Sequence, residues 1–145
     1  MKHLLVLFVM LSTNQQCNDE GQLSIKKATS QSWSGGAAAT RGTYYHLYLA
    51  MTMNADYKFD SLWVNDHRLA VEVMRGNSSY DSVHLYANDR LGIQMPGSSY
   101  DPSKSAEAKF PVASNAEGLL GYYYKGTRKY YPVAAFEKLK SIAYQ

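Results

Sequence analysis

Beyond residue 22, apolar and polar side chains alternate along most of the chain with the period of two that is typical of β-strands. The clearest example is the segment 43–53, which opens with the β-prone residues Thr and Tyr. One of its faces carries Tyr45, Leu47, Leu49, Met51 and Met53, and the other carries Tyr44, His46, Tyr48, Ala50 and Thr52. The pattern predicts a strand with one buried face and one face toward solvent.

The same alternation predicts strands at 23–27, 59–64, 69–74, 82–87, 119–124 and 128–134. It places Val83, Leu85 and Ala87 inward and His84 and Tyr86 outward in one of these strands, and Leu69, Val71 and Val73 inward in another. The segments 65–68 and 125–127 are polar breaks that predict hairpin turns. A short edge strand is predicted at 109–113, because Pro111 cannot donate to a central ladder.

Three stretches are expected to lie outside strands. Residues 28–42 are crowded with Ser, Thr, Gly and Ala around Trp33 and predict a loop. Residues 88–106 are rich in Gly, Ser, Asp and Pro and predict irregular structure. Residues 135–140 are expected to close the domain with one helical turn.

Seven or eight short strands separated by turns, with no alternation of strand and helix, predict an all-β fold. Residues 23–145 have about the size of an immunoglobulin-like domain, so we expect a single antiparallel β-sandwich. A small barrel is the alternative. A true immunoglobulin domain is not expected, because the single cysteine cannot supply its disulfide core.

The first residues have the pattern of a secretory signal peptide. A basic start at 1–3 precedes an unbroken apolar run at 4–11 and a polar exit at 12–16. As a helix, that run would rise only about 12 Å, far less than the roughly 30 Å hydrocarbon layer of a bilayer. We therefore predict a cleaved signal peptide over 1–16, and the alternative is a buried N-terminal strand or helix.

Cys17 directly follows this signal and resembles the lipid-acceptor cysteine of bacterial lipoproteins. The resemblance implies that Cys17 is lipidated and begins the mature chain, with a tether over 17–22 and the sandwich domain over 23–145. The preceding residues, Asn-Gln-Gln at 14–16, differ from the Leu-small-small pattern of that family. Cleavage by the ordinary signal peptidase near Ser12 or Thr13 is the alternative.

The acidic pair Asp19-Glu20 resembles the signal that carries lipoproteins of the Bacteroidetes to the outer face of the outer membrane. The expected location is therefore the cell envelope, as an outer-membrane lipoprotein exposed at the surface. The alternative reading of these two residues is a solvated tether. Without lipidation, the expected location is the periplasm or the medium, as a soluble protein.

Three motifs look like those of a group of small Bacteroidetes lipoproteins. They are Ser-Trp-Ser-Gly-Gly at 32–36, Arg-Gly-Thr-Tyr-Tyr at 41–45 and Phe-Asp-Ser-Leu-Trp-Val at 59–64. Members of that group typically show Trp-x-Gly-Gly, Gly-Thr-x-Tyr and Asp-Ser-Leu-Trp. The group has no assigned activity, so the resemblance implies an envelope lipoprotein and no catalytic residue.

The composition permits a packed core and gives little support to nucleic-acid binding. The chain has 145 residues, of which 46% are hydrophobic and 19% charged, which excludes a disordered charged tail. Its 15 basic and 12 acidic side chains give a formal charge of only +3. The basic residues are scattered among the acidic ones, whereas nucleic-acid binders concentrate them on one face.

Catalytic and metal-binding patterns are weak in this sequence. Nucleophilic catalysis needs a nucleophile, a base and a group that orients the base, and no Gly-x-Ser-x-Gly elbow is present. The three histidines of the domain, His46, His67 and His84, fall on different strands or turns and lack local ligand spacing. We therefore predict no enzyme activity, no metal site and no cofactor.

The abundance of tyrosine, with 13 residues, is the best functional lead. A tyrosine that points outward offers a rigid apolar plane and a hydroxyl, which suit contact with a protein or a glycan. The candidate contact residues are Trp33, Tyr44, Tyr48, Tyr86, Tyr123 and Tyr130. The alternative is that these tyrosines pair across strands to stabilise the sheet, and that Trp33 packs at one end of the sandwich.

Taken together, the sequence predicts a lipid-anchored, non-enzymatic binding or structural module at the bacterial cell envelope. Its partners are then the membrane, reached through the anchor, and an unidentified envelope protein or glycan. Two alternatives stay open, a glycan-binding accessory protein and a small envelope hydrolase.

Overall fold

The computed structural model describes residues 23–36, 40–51, 54–74, 82–91 and 109–145. All the regular secondary structure in these residues is β-strand, so the fold is all-β, as predicted. The described part of the chain holds no helix long and apolar enough to cross a membrane. The predicted signal peptide, Cys17 and the tether over 17–22 lie outside the described residues.

The described residues form nine strands in two sheets. The strands are β1 (Ile25–Gly35), β2 (Thr40–Ala50), β3 (Tyr57–Val64), β4 (His67–Ala70), β5 (Glu72–Val73), β6 (Ser82–Leu91), β7 (Gly118–Tyr124), β8 (Thr127–Val133) and β9 (Glu137–Tyr144). Sheet A has the order β5-β6-β2-β1-β9, and sheet B has the order β4-β3-β7-β8.

Neighbouring strands are antiparallel with one exception, the parallel pair of β1 and β9. The prediction of a purely antiparallel fold was therefore wrong at this pair. The chain enters β9 from β8 of sheet B, through residues 134–136, and parallel neighbours need such a crossover because a hairpin joins only antiparallel strands.

Two-residue turns close the hairpins predicted from the polar breaks. Asn65 and Asp66 join β3 to β4 with φ angles of 49° and 61°. Lys125 and Gly126 join β7 to β8 with φ angles of 47° and 79°. Two consecutive positive φ angles match the right-handed twist of the flanking strands, and Asn, Asp and Gly tolerate them best. Both turns are tighter than the three- and four-residue breaks predicted.

One cluster of buried side chains draws on both sheets. Sheet A supplies Tyr45, Leu47, Leu49, Val83, Leu85 and Ala87, and sheet B supplies Tyr57, Phe59, Leu62, Val64, Leu69, Leu120, Tyr122 and Val133. The period-two faces predicted for 43–53 and 82–87 are thus confirmed for these residues. Met53 lies outside the described residues.

Several boundary predictions were wrong. The expected loop at 28–42 is mostly strand, because β1 runs to Gly35 and bonds to β2 on one side and β9 on the other. These backbone ladders order a polar segment whose side chains alone favour a loop. Residues 88–91 extend β6, and the rest of 88–106 lies outside the described residues.

The C-terminal predictions also need correction. Residues 137–140 belong to β9 and not to a helical turn, since they pair with β1 along its free edge. Residues 109–113 carry no strand. Val73 is 39% exposed where burial was expected. The chain passes from sheet B to sheet A between β4 and β5, and β5 pairs with β6 at the edge of sheet A.

Candidate functional site

The outer face of sheet A carries aromatic side chains on adjacent strands. In β2, burial of Tyr45, Leu47 and Leu49 turns the intervening residues outward. The register pairs His46 with Tyr86 and Tyr48 with His84, so the outward residues of β2 and β6 share this face. This arrangement confirms the predicted outward faces of both strands.

Seven rings on this face form an unbroken chain of contacts, which we call the aromatic strip. Its members are, in order, Tyr48, His84, His46, Tyr86, Tyr44, Trp33 and Tyr144. The successive ring centroids lie 4.4, 5.0, 5.3, 5.8, 5.6 and 6.4 Å apart. The strip crosses four adjacent strands, β6, β2, β1 and β9.

Exposure is greatest at the two ends of the strip. Tyr48 is 37% exposed at one end and Tyr144 is 49% exposed at the other. The rings between them are half-buried, except Trp33, which is only 8% exposed. A partner approaching this face would therefore meet the two terminal tyrosines first.

Trp33 is held from several directions. Its ring stacks on Tyr44 at an interplanar angle of 19°, and the guanidinium of Arg90 lies 6.0 Å from the ring centroid. Its Nε1–H donates to Oδ1 of Asn88 at 3.3 Å. The ring covers Gly42 of β2, where an added Cβ would come within 2.8 Å of two ring atoms. Trp33 therefore lies on the outer face of sheet A, and the predicted loop around it is replaced by strand.

A shallow cavity of about 310 Å³ adjoins the Trp33 end of the strip. Its lining includes Ser32, Trp33, Arg41, Thr43, Ser141 and Ile142. Apolar ring and side-chain surface there stands beside hydroxyl groups and one guanidinium. Such a mixture suits the edge of a contact surface.

At the other end of the strip, His46 and His84 form a hydrogen-bonded pair. Nδ1 of His46 lies 2.8 Å from Nε2 of His84, so one of these nitrogens donates and the other accepts. Burial lowers the pKa of both imidazoles, and the neighbouring His84 lowers that of His46 further. The pair is therefore neutral at pH 7.

The phenols of Tyr44 and Tyr86 keep their protons at neutral pH. A hydrogen bond with Tyr144 and then burial raise the pKa of Tyr44. Burial, followed by the charge of Glu72, raises the pKa of Tyr86. Each of these two hydroxyl groups already has a hydrogen-bond partner within the chain, Tyr144 for Tyr44 and Asn88 for Tyr86.

The remaining two predicted contact residues lie on the other sheet. Tyr123 and Tyr130 belong to β7 and β8 of sheet B, where the guanidinium of Arg128 lies 4.8 and 5.3 Å from their ring centroids. The same guanidinium lies over Trp63 and pairs with Asp60 at 2.7 Å. The six predicted residues thus divide into four on the aromatic strip and two on sheet B.

The third histidine of the domain joins the two sheets. Nδ1 of His67 in β4 lies 3.0 Å from Oδ2 of Asp89 in β6, and Asp89 is buried. Among the described residues, no group of three His, Cys, Asp or Glu side chains is placed to hold a metal ion.

Sequence reasoning missed Tyr144 and the contact between His46 and His84. Tyr144 was overlooked because no strand was predicted beyond residue 134, whereas β9 runs to Tyr144. Each histidine was placed on an outward face, but the pairing of their strands, 38 residues apart, had no sequence signal. Comparison of the chain with protein-family models, curated proteins and solved structures finds no match.

Proposed function

We propose that the protein is a non-enzymatic binding module of the bacterial cell envelope, which contacts its partner through the aromatic strip. The observation that carries this proposal is the unbroken row of seven rings on the outer face of sheet A. The buried core lies against the other face of this sheet, so packing does not require the row. Tyr and Trp are also the side chains enriched at the centres of protein interfaces.

A protein partner fits this surface better than a glycan. A sugar ring packs against an open aromatic face. Four rings of the strip are stacked in two pairs, so one face of each of these rings is already covered. Tyr48 stacks on His84 at 12°, and Trp33 stacks on Tyr44 at 19°. The exposed terminal rings, Tyr48 and Tyr144, remain available to side chains of a protein.

We further propose that the two sheets pack face to face as a β-sandwich. Three contacts support this arrangement. Tyr45 of sheet A packs edge-on against Phe136 with ring centroids 5.1 Å apart, and its hydroxyl accepts from Nδ2 of Asn65 at 3.5 Å. The His67–Asp89 pair joins β4 to β6. In this proposal His67 and Asp89 have a structural role, and the hydrolase alternative is set aside.

The binding surface is tested by site-specific photo-crosslinking in intact cells. A photoreactive amino acid replaces Tyr48 on the strip or, as a matched control, Tyr123 on sheet B, which is equally exposed at 36%. We expect a discrete protein adduct from position 48 and none from position 123. Adding Tyr44→Ala should weaken the adduct from position 48.

Two results would contradict this proposal. Equal adducts from both positions would show that the strip is not the contact surface. Failure of position 48 to form a protein adduct, together with retention on envelope polysaccharide that Tyr44→Ala abolishes, would favour the glycan-binding alternative.

We also propose that lipidation of Cys17 holds the protein at the envelope, with acyl chains that each contribute about 0.8 kcal/mol per buried methylene. The support is the position of the only cysteine directly after the apolar signal. Metabolic labelling with a fatty-acid analogue should label the wild type and not Cys17→Ser. Equal labelling of the two would reject the anchor.

A further inference from the structure

We propose that His46, His84 and Met74 form a copper-binding site on the outer face of sheet A. The two imidazoles and the thioether come from β2, β6 and the residue that follows β5. Sequence spacing predicted no metal site here, because these residues are far apart along the chain. The sheet brings them together.

The imidazole nitrogens of the pair face each other nearly head-on. Nδ1 of His46 and Nε2 of His84 lie 2.8 Å apart, and the ring centroids lie 5.0 Å apart. Two nitrogens bound at about 2.0 Å to a trigonal or tetrahedral ion are about 3.3–3.5 Å apart. Metal binding therefore requires both half-buried rings to turn and their nitrogens to separate by about 0.5–0.7 Å, so that an ion replaces the shared hydrogen.

Met74 is placed beside this pair by the register of β5 and β6. Glu72 lies opposite Tyr86, and Val73 lies opposite Leu85. The next backbone bond runs from the N–H of Met74 to the carbonyl oxygen of His84 at 2.9 Å. Residues directly opposite in an antiparallel pair share a face, with Cβ atoms about 4.5–5.5 Å apart.

The side chain of Met74 is exposed on the face that carries the two imidazoles. It is 42% exposed, and an unbranched thioether has enough rotatable bonds to turn its sulfur toward a neighbour. An apolar side chain this exposed gains little from packing, so turning toward an ion would cost it little burial.

The donor set favours copper over other ions. Imidazole nitrogen suits Zn, Cu, Fe and Ni, whereas a thioether is a soft ligand that selects Cu(I). Tyr48, stacked on His84 at 4.4 Å, also shields one side of the site from water.

This inference does not depend on the proposed binding partner, because the ligands come from this chain alone. The measurement uses purified protein and no partner, so its failure leaves the binding proposal intact.

Cu(I) affinity is measured under anaerobic, reducing conditions by competition with a chromogenic chelator, and Zn²⁺ affinity is measured in parallel. All variants carry Cys17→Ser, because a free thiolate would itself bind Cu(I). We expect a single equivalent of Cu(I), bound at least about tenfold more weakly by His46→Gln and by His84→Gln. Circular dichroism confirms that each variant is folded.

Two further variants test the third ligand. Met74→Leu preserves size and should weaken Cu(I) about tenfold, while Zn²⁺ affinity changes less than about twofold, because only Cu(I) favours the thioether. Glu72→Gln, the neighbouring outward residue, should leave both affinities unchanged.

Three results would overturn the proposal. The first is Cu(I) affinity that survives both histidine variants in folded protein. The second is a Met74→Leu protein that binds Cu(I) as tightly as its parent. The third is a loss of affinity in Glu72→Gln that equals the loss in the histidine variants.

Discussion

Replacing Gly42 with alanine is expected to destabilise the protein by about 2–4 kcal/mol. The added Cβ would lie 2.8 Å from Cε2 and Cζ2 of Trp33 and closer still to the backbone carbonyl oxygen of Asp89. Gly42 is not among the glycines with positive φ, so the cost comes from space and not from backbone strain.

Neither neighbour of that Cβ can move freely. The Asp89 carbonyl belongs to the ladder between β2 and β6, where Asp89 pairs with Thr43. The Trp33 ring is fixed by its stack on Tyr44 and by its hydrogen bond to Asn88. Overpacking costs about 1–3 kcal/mol, and loss of an aromatic stack adds about 0.5–1.5 kcal/mol.

The assay is urea unfolding followed by far-ultraviolet circular dichroism, with Gly35→Ala as the matched control. At Gly35 the nearest atom to an added Cβ would be the Cβ of Tyr144 at 3.6 Å, an ordinary contact, so this variant should be neutral or up to about 1 kcal/mol more stable. The near-ultraviolet signal of Trp33 should also change in Gly42→Ala alone. The reasoning is refuted if Gly42→Ala unfolds at the wild-type urea concentration, or if Gly35→Ala loses as much stability.

Three other predictions follow from burial and charge. Leu120→Ala should lower the free energy of unfolding, measured in urea, by about 2–5 kcal/mol because the Leu120 side chain is fully buried. The control Leu139→Ala should lower it by less than about 0.5 kcal/mol because Leu139 is 38% exposed. Similar losses in the two variants would contradict the assigned core. Asp60→Asn should lower the free energy of unfolding by about 1–2 kcal/mol, because the carboxylate pairs with two arginines of sheet B. A urea midpoint that equals that of the wild type and does not change with salt would contradict this. Because burial lowers the pKa of His46 and His84 below 6.5, the unfolded chain binds more protons, and stability should fall as pH drops through about 6.5. The double variant His46→Gln/His84→Gln should show a shallower pH dependence, and an identical one would refute the assignment.

The sequence predicts well those strands in which the alternation of apolar and polar residues within the strand itself marks the buried face. In β2 the buried residues Tyr45, Leu47 and Leu49 occupy every second position, and Met51 continues the pattern just after the strand. The hairpin between β7 and β8 was also predictable, because Lys125-Gly126 supplies the positive φ angles that its turn requires.

The sequence fails to predict strands that depend on backbone hydrogen bonds to neighbouring strands. In β1, Thr29 is buried and Ser30 and Ser32 are small and polar, so no apolar face marks the strand. In β9, most side chains are exposed on both faces, and Lys138 and Lys140 suggest a surface turn or helix. Both segments become strands because each bonds to the other in sheet A, a long-range effect that local pattern cannot report.

For the same reason, the sequence predicted the outward residues of the candidate site but not how they come together. Period-two spacing placed Tyr44 and Tyr48 outward on one strand and His84 and Tyr86 outward on another. Their union into one surface depends on β2 and β6 being neighbours, although three strands separate them along the chain. The geometry of a binding surface on a sheet is thus set by strand order, which alternation leaves undetermined.

Sheets A and B use the aromatic residues of their outer faces in different ways, and this difference supports the proposal that sheet A carries the contact surface. On sheet B, Arg128 covers Trp63, Tyr123 and Tyr130, and Asp60 neutralises its charge, so the group satisfies itself and leaves Trp63 buried. On sheet A, one guanidinium, that of Arg90, lies over Trp33, but the other contacts of the row are between rings, and the row ends in exposed tyrosines on both sides. A cation placed over an aromatic face and paired with a carboxylate mainly stabilises the fold. Rings that end in open surface still have free energy to gain from a partner, because burying them removes apolar area from water.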